Sequence, residues 1–251
     1  MGVGERIKNL YFHALLGLAE RYDVGIDRGE DFGAELHVSV NDIANTCLRQ
    51  SFYRRLHPEL EKRNRCDIKR HGLGKLYHGV NVLSRVSELR LTWRRIVGVI
   101  DEYGAVYVPE EDRVYYVLLE KKFGNYPPDK SEPNIEHVRQ VLYYYALMRL
   151  YGYRIDRLVI LYDNPSRYDY EPKVFLVRPE PVKRLLEEME IRADIIISAL
   201  EGKTYLPDKE ENWRCEKCAY RELCRRGLRG DGYDPRLEKY GLGAEVASQQ
   251  H

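Results

Sequence analysis

No apolar stretch in these 251 residues runs unbroken for the roughly 18 residues that a membrane-spanning helix requires. Nor does the N-terminus read as a secretion signal. Met1 to Asp23 sets Glu5, Arg6, Lys8, Glu20 and Arg21 among Ile7, Leu10, Tyr11, Ala14, Leu15 and Leu18 at helical spacing, which describes an amphipathic helix. The expected setting is cytoplasmic and reducing, and there the five cysteines are not disulfide partners. Net charge is scarce, only +1 from 41 basic and 40 acidic side chains, which excludes a generic polyanion binder. No Gly-x4-Gly-Lys-Ser/Thr phosphate loop is present, which speaks against an ATP motor of its own. Glutamine is sparse against abundant Arg, Lys, Glu and Tyr, a usage that leans toward a heat-adapted protein.

What is present suffices for a core, with 43% hydrophobic residues under a surface rich in charge. A helical stretch capped at Asn41 or Asp42 carries Cys47 and ends near His57-Pro58, and a second helix is expected from Asp67 to about Leu89. Three strand-like runs follow, Trp93 to Asp101, Ala105 to Val108 and Val114 to Phe123, with Glu102-Tyr103-Gly104 as the turn between the first two. A helix over Glu132 to Gly152, strands at Leu158–Tyr162 and Val174–Val177, and a helix over Pro181 to Leu200 complete the core. The expected fold is α/β, a mixed sheet with helices on both faces. Four regions are expected: an N-terminal helical region 1–66, a core 67–205, a cysteine-bearing segment 206–230 and a tail 231–251. Charge is uneven along the chain. Arg49 to Arg70 holds eight Lys/Arg against three acids, with Phe52 and Tyr53, which suits either a phosphate backbone or a solvated helical face.

Several polar residues end apolar runs. Glu120 and Lys122 stand two apart, so a strand points both to one face. At the end of an apolar strand each needs a partner, and a divalent ion with a phosphate would supply both. Taken alone, the spacing is better explained by an ordinary surface Glu/Lys pair. Asp101 follows Ile96-Val97-Gly98-Val99-Ile100; it is either a turn-initiating Asp or a second hard oxygen ligand beside Glu120, of the kind Mg²⁺ or Mn²⁺ prefers. His78 lies four residues after Gly74 on one expected helix face. Gln140 and Tyr144 are likewise four apart, and could orient a phosphate or a lysine. Cys215, Cys218 and Cys224 form C-x2-C-x5-C far downstream of Cys47, and four thiolates suit an iron–sulfur cluster or structural zinc.

Taken in order, Gly-x3-His, an acid ending a strand, Glu-x-Lys and Gln-x3-Tyr resemble the PD-(D/E)xK (restriction-endonuclease-like) nuclease superfamily in its RecB-like form. With Cys47-Leu48-Arg49-Gln50-Ser51-Phe52-Tyr53 and Cys218 to Cys224 added, the pattern from Val38 to Cys224 is similar to the CRISPR-associated RecB-like iron–sulfur exonucleases, the fourth Cas protein family. The resemblance implies a mixed sheet flanked by helices, with a cluster joining N- and C-terminal segments. It implies metal ligation by His78, Asp101, Glu120 and the Lys121 carbonyl, catalysis with Lys122, and a substrate side at Gln140 and Tyr144. It implies a [4Fe–4S] cluster on Cys47, Cys215, Cys218 and Cys224, with [2Fe–2S] or zinc as alternatives and Cys66 as an alternative fourth ligand. Its activity would be 5′-to-3′ degradation of single-stranded DNA, trimming fragments for spacer acquisition beside a CRISPR integrase complex. A repair or replication nuclease working with a separate helicase, and a non-catalytic cluster-bearing DNA-binding subunit, are the rival readings.

Overall fold

Val117-Leu118-Leu119 and Leu158 to Tyr162 are apolar at every position, the pattern of strands covered on both faces. In the computed structural model they form the middle of β4 (Arg113–Phe123) and β5 (Arg157–Asp163), and none of these residues is more than 3% exposed. The structure describes residues 2–8, 10–11, 36–60, 82–83, 86–124, 131–164, 171–203, 206–207 and 213–228. Around β4 and β5 lies a six-stranded mixed sheet, completed by β1 (Val38–Ser39), β2 (Val86–Trp93), β3 (Ile96–Val108) and β6 (Lys173–Val177). β1 runs parallel to β3 and β4 parallel to β5; the other neighbours are antiparallel.

The crossover from β4 to β5 carries α3 (Ile135–Leu150), as a parallel pair requires. Val141 to Tyr144 and Ala146 to Met148 of α3 are all buried, because the sheet covers one side and α4 (Val182–Leu200) the other. The same core takes Val40, Ile43 and Ala44 of α1 (Val40–Ala44) and Leu48 of α2 (Leu48–Leu56). The opposite sheet face packs Val106, Val117, Leu119, Val159 and Leu161 against Val3, Ile7 and Tyr11 of the N-terminal helical residues. The chain is thus α/β, with a mixed sheet flanked by helices. A third, smaller core joins Phe52 and Tyr53 of α2 to Ala199 at the end of α4 and to Tyr220, just before α5 (Arg221–Leu228). Among the described residues no helix is long and apolar enough to cross a membrane.

Three local expectations change. β3 runs unbroken through Glu102-Tyr103-Gly104, and the hairpin turns fall at Arg94-Arg95 and after Val108. Gly104 is required for closeness rather than for a turn, since a Cβ there would lie 2.6 Å from the Leu83 Cβ. Residues 86–89 belong to β2 and not to a helix, since Leu89, Leu91 and Trp93 follow a two-residue period. Ser39, rather than Asn41 or Asp42, caps α1. Its hydroxyl accepts from the Asp42 N–H at 3.1 Å, and the Asp42 carboxylate accepts the Ser39 N–H in return.

Candidate active site and thiol pocket

Residues 96 to 103 of β3 face β2 on one edge, while the other edge is shared by β1, at Ile96 and Val97, and β4, from Glu102 onward. Between these two partners, residues 98–101 form no ladder pair on that edge. On the β2 edge the ladder skips the Glu88–Asp101 step, where Glu88 takes a positive φ of 54°, a conformation rare outside glycine. Alternation also fails here. Ile100 packs in the core beneath α3, whereas Glu102 bonds the Leu83 N–H and meets Lys121 on the opposite face. Two residues apart should share a face, so the strand switches sides at Asp101, as a bulge does.

The opening is occupied by a carboxylate. Asp101 Oδ2 accepts the Lys121 N–H at 2.7 Å. In extended backbone a residue's N–H and C=O point the same way, so the Lys121 carbonyl faces the same opening. Strict alternation along β4 then separates its polar residues. Leu118, Glu120 and Lys122 point toward α3, and Leu119 and Lys121 toward the other core. Lys121 is fully buried there, 3.4 Å from Glu102. Lys122 Nζ lies 2.6 Å from Glu120 Oε1 and donates to Gln140 Oε1 at 2.7 Å. Gln140 Nε2 in turn donates to the Tyr144 hydroxyl at 3.0 Å.

Depth is set by Gly98, where a Cβ would stand 2.9 Å from Leu147 Cδ1 and 3.2 Å from the Tyr144 ring. With only hydrogen in that place, α3 settles close enough for Gln140 and Tyr144 to reach the end of β4. Burial, then the charges of Glu120 and Asp101, push the Tyr144 phenol well above its usual range, against the bond from Gln140. Both carboxylates therefore lie close enough for their charge to reach the Tyr144 hydroxyl. The structure brings together Asp101, Glu120, Lys122, Gln140 and Tyr144, with the Lys121 backbone. His78 lies outside the described residues. No three His, Cys, Asp or Glu among the described residues are drawn in closely enough to share one ion.

A groove of about 340 Å³ opens beside Lys122 and Gln140, walled also by Asn41, Asn45, Arg54 and Arg214. Neither Asp101 nor Glu120 lines it. Gln50 borders both this groove and a second cavity of about 220 Å³, onto which Cys47, Cys215, Cys218 and Cys224 all open. Cys47 holds the N-cap position of α2, Cys215 lies in the 3-10 turn Trp213–Lys217, and Cys224 lies within α5. Tyr53 and Tyr220 stack at 6.0 Å beside them, and Arg49 Nη1 approaches Cys224 Sγ at 3.9 Å. Burial raises the Cys218 thiol. A backbone bond to Tyr220 opposes this, and the neighbouring Cys47, Cys215 and Cys224 add to the rise. Cys66 lies outside the described residues.

Glu136 escaped the sequence reading. Its Oε1 accepts the Thr46 N–H at 3.2 Å and the Thr46 hydroxyl at 2.9 Å, and pairs with Arg214. Thr46 precedes Cys47, Arg214 precedes Cys215, and Glu136 sits one turn before Gln140 on α3. The one local signal was an acid in a helix's first turn, a common feature.

A scan against protein-family models finds no match, and no curated protein matches. Among solved structures the chain is similar to the crystal structure of SSO0001, at 18% identity and a TM-score of 0.50, over 87% of this chain and 94% of that one. A likeness at that identity concerns the fold alone.

Proposed function

We propose that the chain is a divalent-metal-dependent DNA nuclease of the PD-(D/E)xK, RecB-like type, acting on single-stranded DNA. The observation that carries this reading is the Lys122 environment. One ammonium is held between Glu120 and Gln140, with Tyr144 behind, on the side of the sheet where Asp101 fills a break in strand pairing. A surface ion pair would not need a glutamine–tyrosine support, a buried carboxylate and a face switch in the neighbouring strand.

The donor types suit a hard cation: the charges of Asp101 and Glu120 both reach Tyr144, and Asp101 meets the Lys121 backbone. Asp101 and Glu120 would hold Mg²⁺ or Mn²⁺, joined by His78 if the resemblance extends that far. When bound, the ion supplies a polarised phosphate and a more acidic water. The chain's own residues do the rest. The Lys121 N–H fixes the Asp101 carboxylate. Gln140, oriented by Tyr144, holds the Lys122 ammonium beside the groove, where it can position a nonbridging phosphate oxygen or the attacking water.

Four thiols bordering one cavity fit a soft metal centre. The centre is [4Fe–4S] by the resemblance, with [2Fe–2S] or zinc as alternatives. The 5′-to-3′ polarity, the role in spacer acquisition and the integrase partner rest on that resemblance alone.

The deciding experiment is cleavage of end-labelled single strands in Mg²⁺ and in Mn²⁺. Glu120→Ala and Lys122→Ala should each slow cutting by about 10²- to 10⁴-fold while leaving the visible absorbance of the cluster unchanged. Undiminished cutting by both variants would refute the assignment.

A further inference from the structure

The nuclease reading uses Lys122 at this groove but gives no role to its other walls. Three of its walls carry cations, Lys122, Arg54 and Arg214, against the single carboxylate of Glu136, which Arg214 and Thr46 already engage. Asn41 and Asn45 add amides. At about 340 Å³ the space lies at the small end of ligand sites, roughly 300 to 1,000 Å³. That suits one extended nucleotide strand rather than a duplex.

The two arginines at the end of α2 divide their work. Arg55 bonds Asp42 Oδ2 through two nitrogens, at 2.6 and 3.1 Å, and so ties α2 to α1. Arg54, its neighbour in sequence, lines the groove. Cys47 starts the helix that carries Arg54, and Arg214 is adjacent to Cys215. Both groove arginines are thus mounted on the two segments that the thiol pocket draws together.

We infer that this groove binds the phosphodiester backbone of single-stranded DNA next to the scissile bond, with Arg54 and Arg214 as its phosphate contacts, and that the thiol pocket holds those two arginines in register with Lys122. The inference rests on the nuclease reading for its location beside the scissile bond, but not for the binding itself. A positive groove with planar guanidinium groups engages phosphates without regard to base, because each phosphate presents the same oxygens. Arg54 and Arg214 would meet the strand at its phosphates and take no part in breaking the bond itself.

The test measures binding of a fluorescein-labelled oligothymidine by anisotropy, without divalent ions, across a series of salt concentrations. Arg54→Gln and Arg214→Gln are compared with wild type, with Arg54→Lys as the charge-conserving variant and Lys183→Gln on exposed α4 surface as control. Iron content and melting temperature are checked for each. Loss of one phosphate contact should weaken binding about tenfold and lower the slope of log K against log salt by about 0.7. Arg54→Lys and Lys183→Gln should keep the wild-type slope. Should either glutamine variant lose its fold, the other decides. A wild-type slope in the folded glutamine variants overturns the inference, even if the wild-type enzyme cuts normally. Conversely, slopes that fall as expected in a protein that cuts nothing in Mn²⁺ would leave the groove standing and remove the nuclease reading instead.

Discussion

Lys121 and Lys122 are neighbours in sequence, yet their side chains should fail in opposite ways when removed. The Lys121 side chain is fully buried, and that of Glu102, 3.4 Å away, is 2% exposed. Burial pushes the Glu102 carboxyl up, while the Lys121 charge and backbone bonds from Leu83 and Val82 pull it back. Lys121→Met keeps the side-chain volume but leaves the carboxylate in the core without its cation. Breaking a buried pair from one side costs about 3–5 kcal/mol. At roughly 2–4 °C per kcal/mol for a chain of this size, that is a fall of about 6–20 °C in melting temperature. Lys121→Met with Glu102→Gln should recover most of the loss, because glutamine can still accept the Leu83 N–H and no buried charge remains. Lys122→Met should cost less than Lys121→Met, since water reaches a side chain that is 21% exposed, although its partner Glu120 is buried and lies off the groove. The assays are urea and thermal melts, with cleavage per folded molecule measured below the lowest transition. Lys121→Met should still cut and Lys122→Met should not. A Lys121→Met protein as stable as wild type, or a Lys122→Met protein that unfolds, would mean that the two lysines have been placed on the wrong faces.

Two further outcomes are expected. Cys47→Ser should lower bound iron per chain and Cys66→Ser should leave it unchanged, as read by iron assay and visible absorbance; the reverse result would make Cys66 the fourth ligand. Burial would raise the Glu136 carboxyl, but bonds from Arg214 and Thr46 and the Arg214 charge outweigh it and hold it below the usual 4.5. An acid lowered in the folded state contributes stability in full above its unfolded value, and that contribution is lost as pH falls through the folded value. The gap in urea midpoint between wild type and Glu136→Gln should therefore be widest near neutral pH and close on acidification below 4.5; a gap independent of pH would refute the role of its charge.

Much of the site was legible because it obeys short periods. Glu120 and Lys122 share a face through the two-residue repeat of a strand, and Gln140 and Tyr144 align through the helical repeat. Asp101 was found for a reason the structure modifies. It ends an apolar run but does not end a strand; β3 continues for seven more residues to Val108. The glycine that suggested a turn, Gly104, answers to crowding by Leu83, a contact across the fold that sequence spacing does not encode. Nor does composition announce that Glu88 takes a positive φ opposite Asp101. Glu136 was illegible for a related reason, since its partner Thr46 stands 90 residues away.

Glu136 bears on why a thiol centre belongs near this groove at all. α2 is nine residues long, and α5 is eight. Such short helices are marginal without tertiary support, and among the described residues the core they share with α4 is four buried hydrophobic residues with a partly buried rim. A covalent or metal-ligand link between the segments around Cys47 and Cys215 would add to that support. Its mechanical consequence runs along a short path. Thr46 and Arg214 grip Glu136, Glu136 lies one turn from Gln140, and Gln140 holds Lys122. Loosening the thiol pocket should release the start of α3 before it disturbs β3 or β4, which are held by their own strand pairing. The two carboxylates should therefore outlast the lysine's alignment when the centre is lost. On the proposed reading, a protein without its cluster would keep the sheet while Lys122 drifts from the place proposed for a phosphate.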